Sequence, residues 1–434
     1  MNANEIDNRE PREIGQVVEH LFRHESGKMV ATLTGIFGVE HLTLAEDVVQ
    51  EAMARALQTW PFYGVPQNPS AWIMRTSRNL ALDVVRREKV FRDKEPEIIR
   101  LTEDKSSEPY GGFFAEQEIA DDRLRLMFVC CHPQVPAEAQ VPLALKTLCG
   151  FSITEISRAF LATDAAIAKR LTRAKQKIAE AKIAFEIPSG PELTQRLDGV
   201  LRSLYLLYNE GYKASGGDKL IREEICAEAI RLAEALAAHP SGNQPKTHAL
   251  LALMLLNTAR IPARMDDEGN LLRLRDQDRS RWNQSMIARG MMEMARSASG
   301  DEISEYHLQA AMSACHCRAA NYEATDWPQI LSLYDRLLAY DNSPVVALNR
   351  AVALAEVSGP QAGLEAVLDI KDRQALDDYY LFHAVLGEFK MRLNFQQDAA
   401  NHLKKALELA QIKSEQDLLQ ERLNECEAAL VATV

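Results

Sequence analysis

Apolar side chains recur three and four positions apart along almost every long segment of the chain, and no stretch sustains the apolar/polar alternation of a half-buried strand. The spacing predicts an all-α protein. Residues from about Ile14 to Arg92 read as several helices, with a break at Trp60-Pro61-Phe62-Tyr63-Gly64-Val65-Pro66, where two prolines and a glycine oppose continuation. Asp93 to about Glu116 holds Ser106-Ser107-Glu108-Pro109-Tyr110-Gly111-Gly112 and reads as a linker. Helical spacing returns from about Gln117 to Phe185, and Pro188-Ser189-Gly190-Pro191 marks a second boundary. Beyond it, Val200 to Tyr208 reads as a buried helix, with Gly211 in the left-handed conformation just past its end.

Nearer the C-terminus a period of 34 to 35 residues relates Ile330, Leu364 and Ala399, and likewise Tyr334, Leu368 and Leu403. Gly359 and Asn394, which both tolerate positive φ, fall where paired helices would turn. Tetratricopeptide repeats have this period, and Leu386-Gly387 and Ala406 fit their small or apolar positions. Several of their aromatic signature positions are absent, so a non-repeat helical bundle is the alternative.

A chain of 434 residues can bury two or three cores. With 47% hydrophobic and 26% charged residues it has the balance of a soluble globular protein. The expected domains are residues 14–92, a linker 93–116, a helical module 117–187 and a helical extension 192–434, with repeats from about 328.

The net charge of −12 argues against a general nucleic-acid coat, yet the charge is unevenly distributed. Residues 66–92 and 163–182 each carry six basic against two acidic residues, a balance of +4, whereas residues 93–122 stand at −7. Two basic modules flank an acidic tether.

The N-terminal residues lack the features of a signal peptide. The longest run free of polar residues, Ala249 to Leu256, is far shorter than the roughly 20 residues that cross a bilayer. A cytoplasmic location is expected. Seven cysteines show no paired framework, and neither Cys130-Cys131-His132 nor Cys315-His316-Cys317 has the C-x₂₋₄-C spacing of a zinc site. They are expected to be reduced thiols in helix packing, with no metal and no cofactor. No phosphate loop, dinucleotide fingerprint, nucleophile elbow or H-E-x-x-H is found, so no enzyme is expected.

The sharpest motif is Phe151-Ser152-Ile153-Thr154-Glu155-Ile156-Ser157-Arg158-Ala159-Phe160, a turn at Leu161-Ala162-Thr163, and a helix from Asp164 to about Lys182. This is the pattern of a helix-turn-helix, whose second helix can enter a major groove. Ile156, Ala159, Ile167 and Leu171 would form its core, with Thr163 as N-cap. Lys169, Arg170 and Arg173 would face outward, near base edges and phosphates.

Ala45-Glu46-Asp47-Val48-Val49-Gln50-Glu51, then Trp60, Ala71-Trp72-Ile73, Arg78-Asn79-Leu80-Ala81-Leu82-Asp83 and Arg86-Arg87 resemble, in order and spacing, region 2 of the extracytoplasmic-function class of bacterial sigma factors. The helix-turn-helix resembles region 4 of that class, at Glu155-Ile156 and Arg170-Leu171-Thr172-Arg173-Ala174, although it lacks the glycine frequent in the region 4 turn. Tyr205-Leu206-Leu207-Tyr208-Asn209-Glu210-Gly211-Tyr212, Gln277-Asp278-Arg279-Ser280-Arg281-Trp282 and the terminal repeats resemble a subgroup with a large tetratricopeptide-like extension.

The resemblance implies an alternative sigma factor, with core RNA polymerase and promoter DNA as partners. Asp47, Gln50 and Glu51 would meet the β′ clamp helices, and the region 4 module the β flap. Arg75, Arg78, Asn79, Arg86 and Arg87 would follow the −10 strand, with Phe62 and Tyr63 stacking on unpaired bases. Trp72 is a further stacking candidate or a core residue. Thr163, Ala166, Lys169, Arg170 and Arg173 would meet the −35 element. The extension would regulate the sigma modules, through an intramolecular contact among other routes. Two alternatives stand beside this: a helix-turn-helix regulator with a ligand- or peptide-sensing repeat domain that is not a polymerase subunit, and a repeat scaffold whose basic helices serve a partner protein.

Overall fold

The computed structural model describes residues 11–87, 116–160, 162–214 and 220–433. Among them every regular element is helical, and strand-like pairing is confined to isolated bridge positions, at Val65 and between Met265 and Leu271. The chain is all-α. The expected linker 93–116 lies outside the described residues except for Glu116, as do Lys89 and Arg92 of the first basic stretch. Contacts divide the chain into two units: residues 1–207 with 238–242, and residues 208–237 with 243–434.

The first unit opens with α1 (Pro11–Phe37), α2 (Leu42–Tyr63) and α3 (Pro69–Arg87), in which α2 packs on both its neighbours. The expected break at Trp60–Pro66 begins later than the prolines suggested. Pro61 sits inside α2, and the helix runs on to Tyr63. Proline removes one helical donor, whereas the stop is made by Gly64 at φ 78°, whose N–H bonds the Trp60 carbonyl at 2.9 Å.

The unit continues with α4 (Glu116–Cys130), α5 (Ala137–Leu148), α6 (Ile153–Ala159), α7 (Asp164–Ala181) and the first part of α8 (Pro191–Tyr212). Its core includes Leu124, Leu126, Met127, Phe128, Leu143 and Leu145, all with no exposure. Leu197, Val200, Leu201 and Leu204 of α8 are also buried. The helix after the Pro188–Pro191 boundary therefore belongs to this unit up to Leu207.

The second unit continues with α9 (Glu223–Ala238) and α10 (Pro245–Thr258), and α11 (Gln284–Ser297) and α12 (Glu305–Arg318) pack on α10, whose apolar run foreseen at Ala249 to Leu256 is buried at every residue. Next come α13 (Trp327–Leu337), α14 (Pro344–Ser358), α15 (Pro360–Leu368), α16 (Tyr380–Arg392), α17 (Gln396–Leu409) and α18 (Lys413–Thr433), each packed on the next. Gly359 and Asn394 do take positive φ, at 91° and 62°. Ile330, Leu364 and Ala399 all turn inward. The companion series does not, because Leu368 is 53% exposed while Leu403 is buried.

This unit returns on itself. Glu415 at the start of α18 is buried, accepts a hydrogen bond from Tyr380 and lies 3.5 Å from Lys213 Nζ. Beside them Ala214, Leu220 and Ile412 form a small core, with Leu271 packed against it. The segment between α10 and α11 crosses this arrangement on arginines. Arg264 donates to the Tyr212 carbonyl at 2.6 Å. Arg275 lies 3.9 Å from Glu356 and 4.9 Å above the Tyr322 ring. Arg279 donates to the carbonyls of His316 and Ala319 and to Thr325 Oγ1, at 2.8 to 3.0 Å, beside the buried Trp282 ring. The Gln277–Trp282 motif thus ties the front of the unit to α12 and α13.

Gly211 is a correction. It lies inside α8 with helical φ, not past its end, and the absence of a side chain is used for packing. A Cβ there would stand 2.7 Å from Cys226 N and 2.9 Å from its Sγ. Gly211→Ala gains about 1 kcal/mol of helix propensity but overpacks a helix contact, at a typical cost of about 1–3 kcal/mol. The expected net result is a loss of stability in denaturant titration. A more stable variant would show that the two helices do not meet this closely.

Candidate nucleic-acid and polymerase interface

In α2 the buried face comprises Ala45, Glu46, Val48, Val49, Ala52, Met53, Ala56 and Trp60. Asp47, Gln50 and Glu51, at i, i+3 and i+4, share the exposed opposite face. Glu51 pairs with Arg55 at 2.9 Å, an exposed ion pair easily exchanged for another partner. At the end of α2, Trp60 is buried with its ring 5.5 Å from that of Trp72, edge to face, so Trp72 serves the core as its half-buried state implies. Phe62 and Tyr63 are 82% and 76% exposed just before the chain turns at Gly64. Two large rings held in water at a helix end, beside the Trp60–Trp72 pair, are exposed apolar surface that core packing does not explain.

On α3, Ile73, Met74, Ser77, Ala81 and Val85 face inward. Arg75, Asn79 and Arg86 fall on one exposed stripe at i, i+4 and i+11, with Arg78 half-buried and Arg87 exposed beside it.

The helix-turn-helix is built on local capping. Ser152 and Glu155 form a reciprocal capping box at the start of α6: Glu155 N–H donates to Ser152 Oγ at 3.1 Å and Ser152 N–H to Glu155 Oε2 at 2.7 Å. Thr163 caps α7 by accepting from Ala166 N–H at 3.3 Å. Ile156, Ile167 and Leu171 are buried between the two helices. The side chain of Ala159 and the whole of Leu161, expected in the core and the turn, lie outside the described residues. Ala166, Lys169, Arg170 and Arg173, at i, i+3, i+4 and i+7, share one face of α7. Lys169 and Arg173 are exposed, and Ala166 and Arg170 are partly so.

One residue that sequence reasoning missed fixes the angle of this motif. Asp164, the first residue of α7, accepts hydrogen bonds from Thr154 Oγ1 at 2.8 Å and Ser157 Oγ at 2.5 Å, both on α6. An acid directly after an N-cap is the usable signal, since it also complements the helix dipole. These bonds tie the first residue of α7 to two hydroxyls of α6. Lys175, counted among the basic residues of this stretch, instead turns inward to pair with Glu46 of α2.

The cysteine clusters are packed neutral groups. Burial pushes the Cys131 thiol up to about 12 and Cys317 up to about 11, and lowers His316 to about 3. Among the described residues no group of three or more His, Cys, Asp or Glu is gathered as a ligand set. None of the described helices is long and apolar enough to cross a membrane. In the second unit an open cleft of about 450 Å³ is lined by Leu364, Leu368, Phe382, His383, Phe395 and His402, among others.

Asp164 yields a test with a defined pH sign. Hydrogen bonds from Ser157 first, and then Thr154, hold its carboxyl below the usual carboxylate range. Its contribution to stability is complete above that range and fades as pH falls through the lowered value. Asp164→Ala should melt earlier than wild type at pH 7, and the gap should shrink in acid. Identical melting curves from pH 7 to pH 3 would mean the two hydroxyl contacts do not hold the motif.

Comparison with known proteins agrees with this geometry. Residues 21–90 match the Sigma-70 region 2 family, and residues 196–298 match a family of unknown function, DUF6596. No solved structure matches the chain. The "Uncharacterized protein R00370" of Rhizobium meliloti (strain 1021) is 38% identical over 395 residues, 91% of this chain and 92% of that protein. The chain therefore belongs to one family with that Rhizobium protein, and its N-terminal helices are a sigma-70 region 2 domain, the domain by which sigma-70 factors act in transcription initiation.

Proposed function

We propose that the protein is an alternative sigma factor of the extracytoplasmic-function type, which binds core RNA polymerase and directs initiation at a restricted set of promoters. The observation that carries this is the joint presence of a matched region 2 and a capped helix-turn-helix with Lys169, Arg170 and Arg173 on one face. The acidic and amide stripe Asp47, Gln50 and Glu51 is complementary in charge to basic clamp helices of the β′ subunit, which favours rapid and correctly registered docking. Phe62 and Tyr63 supply stacking surfaces for melted −10 bases, at about 1–3 kcal/mol per base. Arg75, Arg78, Asn79, Arg86 and Arg87 follow the backbone of that strand. Thr163, Ala166, Lys169, Arg170 and Arg173 meet the −35 element, with the α7 N-terminus directed at phosphate. No catalytic group is required, because trapping of melted bases draws on binding energy and the polymerase carries out nucleotidyl transfer.

The modules 14–92 and 117–187 serve −10 and −35 recognition, and the extension from about residue 192, with tetratricopeptide-like helix pairs from about 328, acts on them as a regulator. Its cleft with exposed Leu368 and Phe395 suits a helix or extended segment.

Core polymerase plus the full chain should give transcripts from a restricted promoter set that core alone does not. Arg170→Ala or Arg173→Ala should cost about 1–3 kcal/mol of −35 discrimination where the contact is a bidentate one to a base, and Asp47→Ala or Gln50→Ala should weaken core binding. Wild-type promoter choice and core affinity in all four variants would refute these assignments. Duplex binding with no promoter-directed transcripts would favour a helix-turn-helix regulator instead.

The regulatory role has its own test. Because α8 is buried in the first unit up to Leu207, a truncation must end after Leu207 to keep that core. With native helicity by circular dichroism, such a fragment should differ severalfold from the full chain in promoter-directed transcription. Equal activity and equal core affinity would reduce the extension to a separate interaction module.

A further inference from the structure

Two histidines meet in the cleft of the second unit. His383 lies on α16 and His402 on α17, 19 residues apart in sequence, and their Nδ1 atoms are 3.4 Å apart. Gly387, one turn beyond His383, holds the two helices close at this level, since a Cβ there would stand 2.9 Å from Leu403 Cγ and 3.5 Å from the Ala399 carbonyl oxygen. The spacing of the imidazoles is therefore set by the approach of two backbones. Both rings are half-buried and line the open cleft, so a solute can reach them.

Hydrogen bonding turns a lone pair into the gap. His383 Nε2 lies 2.9 Å from the Asp377 carbonyl oxygen, which can only accept. The neutral ring therefore carries its proton on Nε2, and Nδ1 is left with its lone pair toward His402. Metal-ligating histidines are oriented in the same way, with the second ring nitrogen donating to a backbone carbonyl.

The distance fits an ion better than a direct bond. At 3.4 Å the two nitrogens are farther apart than the about 2.7–3.2 Å usual for a bond donated by N–H. Two nitrogens bound to one tetrahedral zinc ion at about 2.0–2.1 Å stand roughly 3.3–3.4 Å apart. The ring centroids are 5.7 Å apart against roughly 5.2 Å in such a chelate, a difference that a small rotation of each ring about χ2 removes. The charges around the pair select the kind of ion. Asp377 and Asp398 line the cleft opposite in sign to Arg373 and Lys390, and Asp398, one turn before His402, is held by Lys390 at 2.9 Å. A lining with no net charge and two imidazoles does not suit calcium or magnesium, which take oxygen ligands, and does suit zinc, nickel or copper.

We propose that His383 and His402 form a two-nitrogen site for a divalent transition-metal ion of the zinc class, open toward the cleft. The proposal is independent of the sigma-factor reading. Among the described residues no third His, Cys, Asp or Glu is gathered with the two rings, so the remaining coordination positions are left to water and to anionic groups that enter the cleft. Bound there, the ion bridges α16 and α17 and fixes one wall of the cleft beside Phe382 and Phe395. The two histidines sit on different helices, so their pairing has no spacing signature in the sequence.

The test titrates the full chain, stripped with a chelator and kept reduced, with zinc chloride. Diethyl pyrocarbonate modification followed by peptide mass mapping then reads each histidine separately, so zinc held by thiols elsewhere does not enter the result. Zinc should protect His383 and His402 together, with one half-saturating concentration, and magnesium should protect neither. His383→Asn and His402→Asn each put an amide atom where Nδ1 stood but remove the nitrogen ligand. With native circular dichroism, each should weaken protection of the remaining histidine by at least the roughly tenfold lost with an outer-shell partner of a metal site. Unchanged modification of both histidines in wild type under excess zinc would overturn the proposal, and this outcome does not depend on how the variants fold. Wild-type protection of the remaining histidine in either variant would also overturn it, because the ion would then not be held by the pair. Equal protection by magnesium would overturn the assignment to a transition metal.

Discussion

Helices satisfy their hydrogen bonds internally, so an all-helical chain is joined only where side chains, or the lack of them, let two helix surfaces meet. In the first unit the decisive meeting is α1 against α5 at Gly27, where no side chain intervenes. That approach brings α2 close enough to α5 and α7 for Glu46 to be buried, and a buried carboxylate is tolerated only with partners, which Thr147 and Lys175 supply. The inward faces of α2 and α7 are thereby committed to one another. Their outward faces, with Asp47, Gln50 and Glu51 on one and Lys169 and Arg173 on the other, are left to solvent and to partners.

The second unit solves a different problem with the same means. From α10 to α18 its helices pack in sequence, each on the next, and such a row has open ends. Glu415, Lys213 and Tyr380 join the last helix to the first part of the unit, and the arginines of residues 264–279 cross between them. The match of residues 196–298 to a family covers this tied segment, whose Gln277–Trp282 run has its physical explanation in the carbonyls that Arg279 binds.

What could be read from the sequence was whatever depends on neighbours within one or two turns. The stripe of Ala166, Lys169, Arg170 and Arg173, the Thr163 cap and the positive φ of Gly359 and Asn394 all follow from spacing and residue type. Glu46 was legible only as one acid among several, because its burial depends on Thr147 and Lys175 more than a hundred residues away. Gly211 was misread for a related reason: a glycine used for close packing looks the same in sequence as one used to end a helix, and only Cys226 distinguishes them. Pro61 misled in the opposite direction, since a proline near a helix end deletes one bond without ending the helix. Leu368, in register with Tyr334 and Leu403, is exposed because α15 is a short helix that ends there.

The proposed role makes this chain a subunit of RNA polymerase and not an independent DNA-binding protein. Gel filtration of the full chain mixed with core polymerase, free of DNA, addresses that most directly. Co-elution at one copy per core, lost on Asp47→Ala combined with Gln50→Ala, is the expected result. Separate elution of a folded chain that still binds duplex DNA would contradict it.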